Sequence, residues 1–444
     1  MTRRHGYVLL SAVIALVLGL SAAIYAGVAA GDGTPRTAVA SHRPRHDPSA
    51  APASTGTWVG TWSASPVGGE PGTETQGMAG RSIRNVVHTS VGGSSARITL
   101  SNLYGQSALA VAHASLAVAA GDGSATAVAR TMRRLTFGGS TSVLIPPGEQ
   151  MVSDAVRITV PHDADILVTT YSPTAAGPVT YHPHARQTSY IAQGDRTQDT
   201  AGARYTERTS FWRYLTALDV LSNESDGTVV VLGDSLTDGI TSTENANRRW
   251  TDVLARRLRD AVADGADMPR YSIVNAGISG NQILADGLGR PADNESALDR
   301  FERDVLDRTN VKVVVIDLGV NDILRNPRLA DPDRIVAGLR TLVDRAHARG
   351  LKVVGATLMP FSGHQGSTPA REHVRQEVNA SIRAGRVFDA VADFDAALRD
   401  PWSPRRLRPE YDSGDHLHPS DRGYRKMAEA FDLHDLKGAG QTEL

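Results

Sequence analysis

The sequence predicts two folded regions in succession, an antiparallel β-sandwich over residues 58–221 and a doubly wound parallel α/β sheet over residues 228–444. In the first region, short β-branched segments alternate with turns rich in Gly and Pro, and no convincing helical pattern occurs. In the second, continuous apolar runs alternate with amphipathic helical segments. The chain has 444 residues, whereas one hydrophobic core seldom serves more than about 250–300. Its length therefore agrees with two regions.

The first 30 residues have the pattern of an export signal. Arg3 and Arg4 precede an apolar, uncharged stretch from Tyr7 to Ala30. This stretch is long for a signal peptide core and long enough to span a bilayer, which takes roughly 20 residues. We expect residues 1–30 to be a cleaved signal peptide or an N-terminal anchor, and the remainder to be exported in either case. The protein is thus predicted to be secreted or anchored to the outer face of the cytoplasmic membrane.

Composition limits the classes of function. Residues 31–57 are rich in Ala, Ser, Thr, Pro and Gly without apolar periodicity, which predicts a linker. The formal net charge of -1 creates no overall field that would recruit nucleic acid or anionic lipid. The chain contains no cysteine, which excludes a thiol nucleophile, a Cys-ligated metal and a disulfide.

The predicted sandwich is justified by its short segments. Residues 97–100, 156–160 and 166–170 are β-branched, and turns are expected at 92–93, 121–123 and 146–148. Trp58 and Trp62 are expected to be core residues and not a sugar-stacking platform. His182 and His184 are expected to lie in a loop or in a contact between the two regions, and not in a site.

The predicted parallel sheet is justified by apolar runs at 229–232, 273–274, 313–316 and 353–354, because strands buried on both faces read as continuous apolar segments. One helical stripe stands out, and Gly350 ends it just before the next strand. Its members are Ile335, Val336, Leu339, Leu342, Val343 and Ala346. In such sheets ligands bind at the carboxyl ends of the strands.

Residues that could take part in catalysis follow three of these strands. Ser235 comes directly after the first, in Gly233-Asp234-Ser235-Leu236. This serine is either a nucleophile beside the free N–H groups of a strand-to-helix turn or a helix-capping residue. Gly280 and Asn321 follow the second and third strands, where they could donate hydrogen bonds to an oxyanion. Taken singly, each is also compatible with an ordinary turn.

Near the C-terminus, Asp415 and His418 are three residues apart. This spacing can place a carboxylate beside one imidazole nitrogen while the other faces Ser235. The same segment could simply cap the last helix. Metal binding by His416 and His418 is a further alternative, which no cysteine and no spaced carboxylate cluster supports.

Taken together, these blocks resemble the SGNH or GDSL hydrolase family. Gly233-Asp234-Ser235-Leu236, Gly280, Gly319-x-Asn321-Asp322 and Asp415-x-x-His418 occur in the family's order and strand positions, over about residue 228 to the C-terminus. The resemblance implies a flavodoxin-like sheet and a triad of Ser235, His418 and Asp415. It also implies an oxyanion hole from the N–H groups of Ser235 and Gly280 and the side chain of Asn321.

Two further features qualify the resemblance. Asn281 stands where many members carry Asp, which should affect loop anchoring more than chemistry. The motif G-x-S-x-G is absent around Ser235, which argues against the ordinary α/β-hydrolase fold.

The opening Trp58-Val59-Gly60-Thr61-Trp62 and the β-rich first region are similar to two-domain members that carry an N-terminal β-sandwich.

Three functions remain open at this stage. The first is a serine esterase or lipase that hydrolyses carboxylic esters through an acyl-enzyme, as a monomer without metal or organic cofactor. The second is an acyltransferase with the same residues, and the third is a polysaccharide-binding protein with deacetylase activity. Residues 360–369 look mobile and open, which favours water as the acceptor. The substrate would be an acetylated polysaccharide, a lipid or a small ester.

Overall fold

The computed structural model describes residues 56–326 and 329–438. The predicted signal peptide or anchor at 1–30 lies outside these residues, as does all but the end of the predicted linker at 31–57. Among the described residues, no helix is both long enough and apolar enough to cross a membrane. The β-rich region and the α/β region belong to one compact unit.

The β-rich region runs from residue 57 to residue 222. Its strands are β1 (Thr57–Ser63), β2 (Gly68–Gly69), β3 (Arg81–His88), β4 (Gly93–Ser101), β5 (Leu109–Val111), β6 (His113–Val118), β7 (Arg133–Arg134), β8 (Val143–Ile145), β9 (Gln150–Val152), β10 (Val156–Val160), β11 (Asp165–Ser172), β12 (Thr180–His182), β13 (Ser189–Gln193), β14 (Glu207–Thr209), β15 (Trp212–Arg213) and β16 (Leu215–Ser222).

Two antiparallel sheets face each other in this region. One has the order β1-β16-β4-β10 with β9 also paired to β4, and the other has the order β14-β13-β3-β11-β6-β7. Because side chains alternate along a strand, every second residue of β3, such as Ile83 and Val87, enters a core shared with Ile98 and Val220 of the opposite sheet. The predicted antiparallel β-sandwich is confirmed.

A small third sheet leads toward the second region. It has the order β15-β12-β2, and its central strand ends at His182, opposite Trp212 of β15. Pro183 and His184 leave this sheet, and His184 adopts a left-handed backbone conformation with a φ of 59°. The segment after β12 therefore turns sharply where the two regions meet.

The α/β region begins with β17. Its elements are β17 (Gly227–Gly233), α1 (Ser235–Asp238), α2 (Trp250–Ala263), β18 (Tyr271–Gly277), α3 (Ala297–Phe301), a π-helical turn (Glu302–Leu306), β19 (Val311–Asp317), α4 (Val320–Leu324), α5 (Pro332–His347), β20 (Lys352–Ala356), α6 (Pro369–Arg383), β21 (Ala390–Ala392), α7 (Phe394–Leu398), α8 (Asp421–Ala430) and a 3₁₀ turn (Leu433–Leu436).

The five strands of this region form one parallel sheet in the order β18-β17-β19-β20-β21. In chain order this is 2-1-3-4-5, the flavodoxin-like arrangement of a doubly wound sheet. Successive residues of β17 serve two different cores: Val230 and Leu232 pack on one face, and Val229 and Val231 on the other. The predicted parallel α/β fold is confirmed, and the apolar run of β17 is explained by its burial on both faces.

Helix α5 shows how local sequence sets an element. Asp331 caps its start by accepting the N–H of Arg334 at 3.0 Å, and Pro332 occupies the first turn. The predicted apolar stripe is buried along its length. Gly350 has a φ of 69° and ends the segment before β20, as expected.

The sandwich packs directly on the parallel sheet through β1 and β18. The N–H of Gly60 donates to Oγ1 of Thr228 at 3.1 Å, and Oγ of Ser63 donates to the carbonyl of Asn275 at 2.8 Å. A Cβ on Gly60 would lie 3.3 Å from Cγ1 of Val274, so the two backbones approach closely. This contact brings the sandwich beside the carboxyl edge of the sheet.

Candidate active site

Strand β17 delivers Ser235 to the carboxyl edge of the sheet. The strand ends at Gly233, where a Cβ would lie 2.2 Å from Oγ1 of Thr237, so only glycine allows this tight exit. Oδ1 of Asp234 accepts the N–H of Leu236 at 3.0 Å and caps the short helix α1. Ser235 is 7% exposed and lines a cleft.

The loop before α8 brings an imidazole and a carboxylate to this serine. Oγ of Ser235 lies 2.9 Å from Nε2 of His418, whose Nδ1 lies 2.6 Å from Oδ2 of Asp415. Oδ1 of Asp415 accepts the N–H groups of Leu417 and His418 at 2.9 and 2.8 Å. An ionised Asp415 can only accept, so Nδ1 of His418 carries the proton and Nε2 can accept from the serine hydroxyl.

The state of Asp415 follows from its surroundings. Partial burial raises the pKa of this carboxyl, but the hydrogen bonds from His418 and from the backbone outweigh burial, and the pKa lies below its usual value. Asp415 is therefore ionised at neutral pH, which stabilises an imidazolium at His418.

His416 points elsewhere. Its Nδ1 lies 2.6 Å from Oδ2 of Asp412, and its ring packs where a Cβ on Gly363 would lie, at 3.0 Å. His416 and His418 thus pair with different aspartates. Within the described ranges, no group of three or more His, Cys, Asp or Glu side chains is arranged to hold a metal ion.

Gly280 follows β18 and lines the same cleft as Ser235. Its φ of 79° is a left-handed conformation that favours glycine. A Cβ here would also lie 2.6 Å from the guanidinium carbon of Arg325, so Arg325 covers this residue. Within the described part of the chain, no hydrogen bond occupies the N–H of Gly280 or of Ser235.

Asn321 projects from the start of α4, behind the strand end of β19. Its Nδ2 donates to Oδ2 of Asp234 at 3.1 Å, and its Oδ1 accepts from Nε of Arg325 at 3.0 Å. Arg325 defines the orientation of the amide, because a guanidinium can only donate and the oxygen of Asn321 must therefore face it. One hydrogen of Nδ2 remains available to the cleft.

Buried carboxylates hold the strand ends behind the site. Asp322 accepts the N–H groups of Ile283 at 3.1 and 2.9 Å and of Leu284 at 3.1 Å, which ties the loop of Gly280 to α4. Burial raises the pKa of Asp322 to about 6. Burial and the nearby Asp317 raise the pKa of Asp234 well above its usual range.

Asn281 has the anchoring role that the sequence predicted for this position. It is fully buried, and its Oδ1 accepts Nε of Arg300 at 3.0 Å while Nδ2 donates to Oδ1 of Asn294 at 2.7 Å. Arg300 also donates to the carbonyl of Gly233 at 3.0 Å. One buried guanidinium therefore links the loop of Gly280 to the strand end that precedes Ser235.

The residues singled out in the sequence share one cleft of about 580 Å³. Ser235, Gly280, Asn321 and His418 line it, and Asp415 stands directly behind His418. The geometry is suited to proton transfer from Ser235 to His418 beside three hydrogen-bond donors, the N–H groups of Ser235 and Gly280 and Nδ2 of Asn321. Such a constellation is what nucleophilic attack on a carbonyl requires.

Residues 231–426 match the family model of the GDSL-like lipase/acylhydrolase family. This part of the chain is therefore similar to GDSL-like lipases and acylhydrolases. No match was found between the chain and a curated protein.

Solved structures similar to this chain include three GDSL-type or esterase proteins. A variant of an acetyl xylan esterase from Geobacillus stearothermophilus is 22% identical, covers 48% of this chain and 95% of its own, and has a TM-score of 0.37. A carbohydrate acetylesterase from Sinorhizobium meliloti is 18% identical with a TM-score of 0.36, and the match covers 46% of this chain and 96% of that chain. A member of the lipolytic protein G-D-S-L family from Veillonella parvula is 18% identical with a TM-score of 0.34, over 46% and 96% of the two chains.

The cleft beside Ser235 also contains residues that sequence reasoning missed. His184 from the sandwich, Arg325 from the end of α4 and His364 from the loop after β20 all line it. Partial burial lowers the pKa of His364. Arg325 could have been found, because it lies one helical turn after Asn321.

No feature of the sequence could have placed His184 at the cleft, since its position depends on how the sandwich packs on the sheet. The sequence assigned His182 and His184 to a loop or an inter-region contact. His182 makes such a contact, through Asp238 at 3.0 Å. His184 does not stay outside the site and lines the cleft.

Proposed function

We propose that the protein is a serine esterase that hydrolyses carboxylic esters through an acyl-enzyme on Ser235. The observation that carries this proposal is the connected row of Ser235, His418 and Asp415, with separations of 2.9 and 2.6 Å. The match of residues 231–426 to the GDSL-like lipase/acylhydrolase family model supports the same reaction class.

In the acylation step, His418 accepts the hydroxyl proton of Ser235 at Nε2 while Oγ attacks the ester carbonyl. The carbonyl oxygen becomes an oxyanion, which the N–H groups of Ser235 and Gly280 and the free hydrogen on Nδ2 of Asn321 stabilise. The tetrahedral intermediate then collapses. The bond from carbon to the alcohol oxygen breaks, and His418 returns its proton to the departing alcohol.

Deacylation repeats these steps with water as the nucleophile. His418 takes a proton from water, the hydroxide attacks the acyl carbon, and Oγ of Ser235 leaves with the proton. Solvent can approach this histidine, because the side chains of His418 and Asp415 are 16% and 43% exposed. Water therefore competes well against an alcohol, which supports hydrolysis over acyl transfer.

The loop after β20 forms part of the wall. The N–H of Gly366 donates to Nδ1 of His364 at 3.2 Å, and the N–H of Ser362 donates to the carbonyl of Arg405 at 2.8 Å. The described residues of this loop that line the cleft are His364, Gln365 and Gly366, and none of them has a large apolar side chain. The mobility predicted for residues 360–369 stays a prediction.

The sandwich offers little support for a polysaccharide-binding role. Trp62 is 7% exposed and packs edge-on against Trp212, with ring centroids 4.9 Å apart. Trp58 is partly buried, and the guanidinium of Arg97 covers its ring at 4.7 Å. Neither indole provides the open face on which a sugar ring could stack.

We further propose that the enzyme acts outside the cytoplasm, on an ester of an extracellular polymer, a lipid or a small molecule. The leader pattern of residues 1–30 supports export. Sequencing the N-terminus of exported protein decides between a cleaved signal and an anchor, since a start near residue 31 means cleavage. Removing residues 1–55 should leave an active enzyme, because the sequence predicts a leader and a linker there and no part of a core.

The central experiment is a substrate panel on the full chain. Nitrophenyl esters of increasing acyl length and acetylated polysaccharides are assayed beside each other for released acid, with Ser235→Ala as the control. Acid release that depends on Ser235 supports the proposal, and a serine-directed organophosphonate should label the protein once, at Ser235. Predominant transfer to an added alcohol would favour acyltransfer, and equal activity of Ser235→Ala would remove the nucleophile assignment.

A further inference from the structure

A buried chain of hydrogen bonds connects the sandwich to the loop of Gly280. Nε2 of His182, at the end of β12, lies 3.0 Å from Oδ1 of Asp238. The other oxygen of Asp238 accepts the N–H of Ser279 at 3.1 Å and also the hydroxyl of Ser279. Ser279 directly precedes Gly280, so the chain ends at an N–H group of the proposed oxyanion hole.

Asp238 also belongs to the helix of the nucleophile. It is the last residue of α1, which starts at Ser235. The side chain of Asp238 belongs to the helix of Ser235 and is hydrogen-bonded to Ser279 in the loop of Gly280. It therefore fixes this loop relative to Ser235. The distance between nucleophile and oxyanion donor thus depends on the side-chain rotamer of Asp238.

His182 controls that rotamer. The side chains of His182 and Asp238 are each 4% exposed, so their contact is shielded from bulk solvent. Nδ1 of His182 lies 2.8 Å from the carbonyl of Ser65, which can only accept, and this bond fixes the ring so that Nε2 faces Asp238. Without His182, the buried Oδ1 of Asp238 would lose its hydrogen-bond partner, a change that favours rearrangement of this side chain.

We propose that His182 is a positioning residue for ester cleavage, which acts through Asp238 and Ser279 to hold the N–H of Gly280 at the oxyanion. The inference rests on the proposed function. It gives the sandwich a catalytic task, since His182 belongs to its third sheet and the match to the GDSL-like family model begins later in the chain. The sandwich is then an integral part of the catalytic unit and not a detachable module.

A second histidine at the same junction provides a matched control. Nδ1 of His88 lies 2.9 Å from Asp165, Nε2 lies 3.1 Å from Asp163, and Asn247 of the α/β region contacts the same ring at 2.9 Å. His88 is also largely buried and paired with carboxylates. Its hydrogen bonds, in the part of the chain that the structure describes, do not reach Asp238 or the loop of Gly280.

The experiment compares His182→Asn, His182→Gln and His88→Asn in the full chain, by kcat and KM on nitrophenyl acetate and by the melting temperature. We expect His182→Asn to lower kcat by about 10- to 100-fold with little change in KM, because a small displacement of an oxyanion donor acts on the transition state. His182→Gln should retain more activity, since its amide nitrogen reaches toward the place of Nε2. His88→Asn should lower the melting temperature and leave kcat near the wild-type value.

A double variant tests the route. If His182 acts through Ser279, the combined variant His182→Asn with Ser279→Ala should lower kcat by a smaller factor than the product of the factors for the two single variants. Wild-type kcat in folded His182→Asn, or a loss equal to that of His88→Asn, would overturn the inference.

Ser279→Ala also decides the case in which the His182 variants do not fold, because it keeps the backbone and removes only the hydroxyl on Asp238. A several-fold lower kcat at unchanged KM supports the route, and wild-type kcat rejects it. Failure of the proposed function is a separate result, namely full turnover by Ser235→Ala.

Discussion

The two halves of the candidate site are built differently. The proposed base, His418, and its partner Asp415 lie three residues apart on one loop, and their side chains are 16% and 43% exposed. The proposed oxyanion donors Gly280 and Asn321 follow two different strands and are held by side chains from distant segments. The half with His418 and Asp415 is held by contacts within one loop and is solvent-accessible. The half with Gly280 and Asn321 is buried and held by contacts between segments far apart in the sequence.

The difference agrees with what each half must do. A general base exchanges protons with substrate, alcohol and water, so some access to solvent helps turnover. Oxyanion donors act by being fixed before the charge develops, and buried hydrogen bonds to Asp234, Asp238 and Asp322 provide that rigidity. We therefore expect kcat to fall when His418 or Asp415 itself is substituted. In the half with Gly280 and Asn321, kcat should fall also when remote residues that hold these donors are substituted.

The largest effect should come from removing the reacting groups. Ser235→Ala and His418→Ala should each lower kcat by roughly 10⁴-fold or more, with the fold intact because both side chains lie at a cleft. His416→Ala is the matched control, since its imidazole pairs with Asp412 and not with Ser235. Steady-state kinetics with circular dichroism checks all three. If His416→Ala proved the more damaging, the wrong imidazole would have been assigned.

The next effect sharpens the role of Asp415. Asp415→Asn should reduce kcat by about 10²–10⁴-fold, less than loss of His418, because the carboxylate orients the ring and stabilises the imidazolium without reacting. The pH dependence of kcat/KM should shift along with it. An inactive but folded Asp415→Asn, equal to His418→Ala, would argue for a larger role of this carboxylate.

In the buried half, Asn321→Ala should lower kcat by roughly 10²–10³-fold, the usual cost of one oxyanion donor. KM should remain about the same, because the hydrogen bond strengthens chiefly in the transition state. Pre-steady-state acylation rates measure this directly. A variant impaired only in KM would place Asn321 in substrate binding.

The same contrast explains what the sequence could predict. Ser235, Gly280 and Asn321 could be placed together because the carboxyl ends of parallel strands meet at one edge, and apolar runs mark those strands. Asp415 and His418 needed only local spacing. The contact of His182 with Asp238 joins residues 56 positions apart in two different regions. No periodicity or motif encodes how the sandwich packs on the sheet, so this contact and the place of His184 emerge only from tertiary structure.

The smallest effect concerns stability in the buried half. Burial raises the pKa of Asp322 from 3.8 to about 6, so the native state holds this proton more tightly than the unfolded chain does. Native stability therefore decreases as the pH rises from about 4 through 6, by up to about 3 kcal/mol from this group. Asp322→Asn lacks this dependence.

Urea unfolding of the wild type and of Asp322→Asn at pH 4, 5, 6 and 7 tests the assignment. The variant accepts weaker hydrogen bonds from the N–H groups of Ile283 and Leu284 at every pH. Relative to the wild type, however, its free energy of unfolding should rise from pH 4 through pH 6 and then level off, because the wild type must bury a charge once Asp322 ionises. A difference that stays constant with pH would mean that Asp322 titrates at its ordinary value, and the network behind Gly280 would then hold a normally ionised carboxylate.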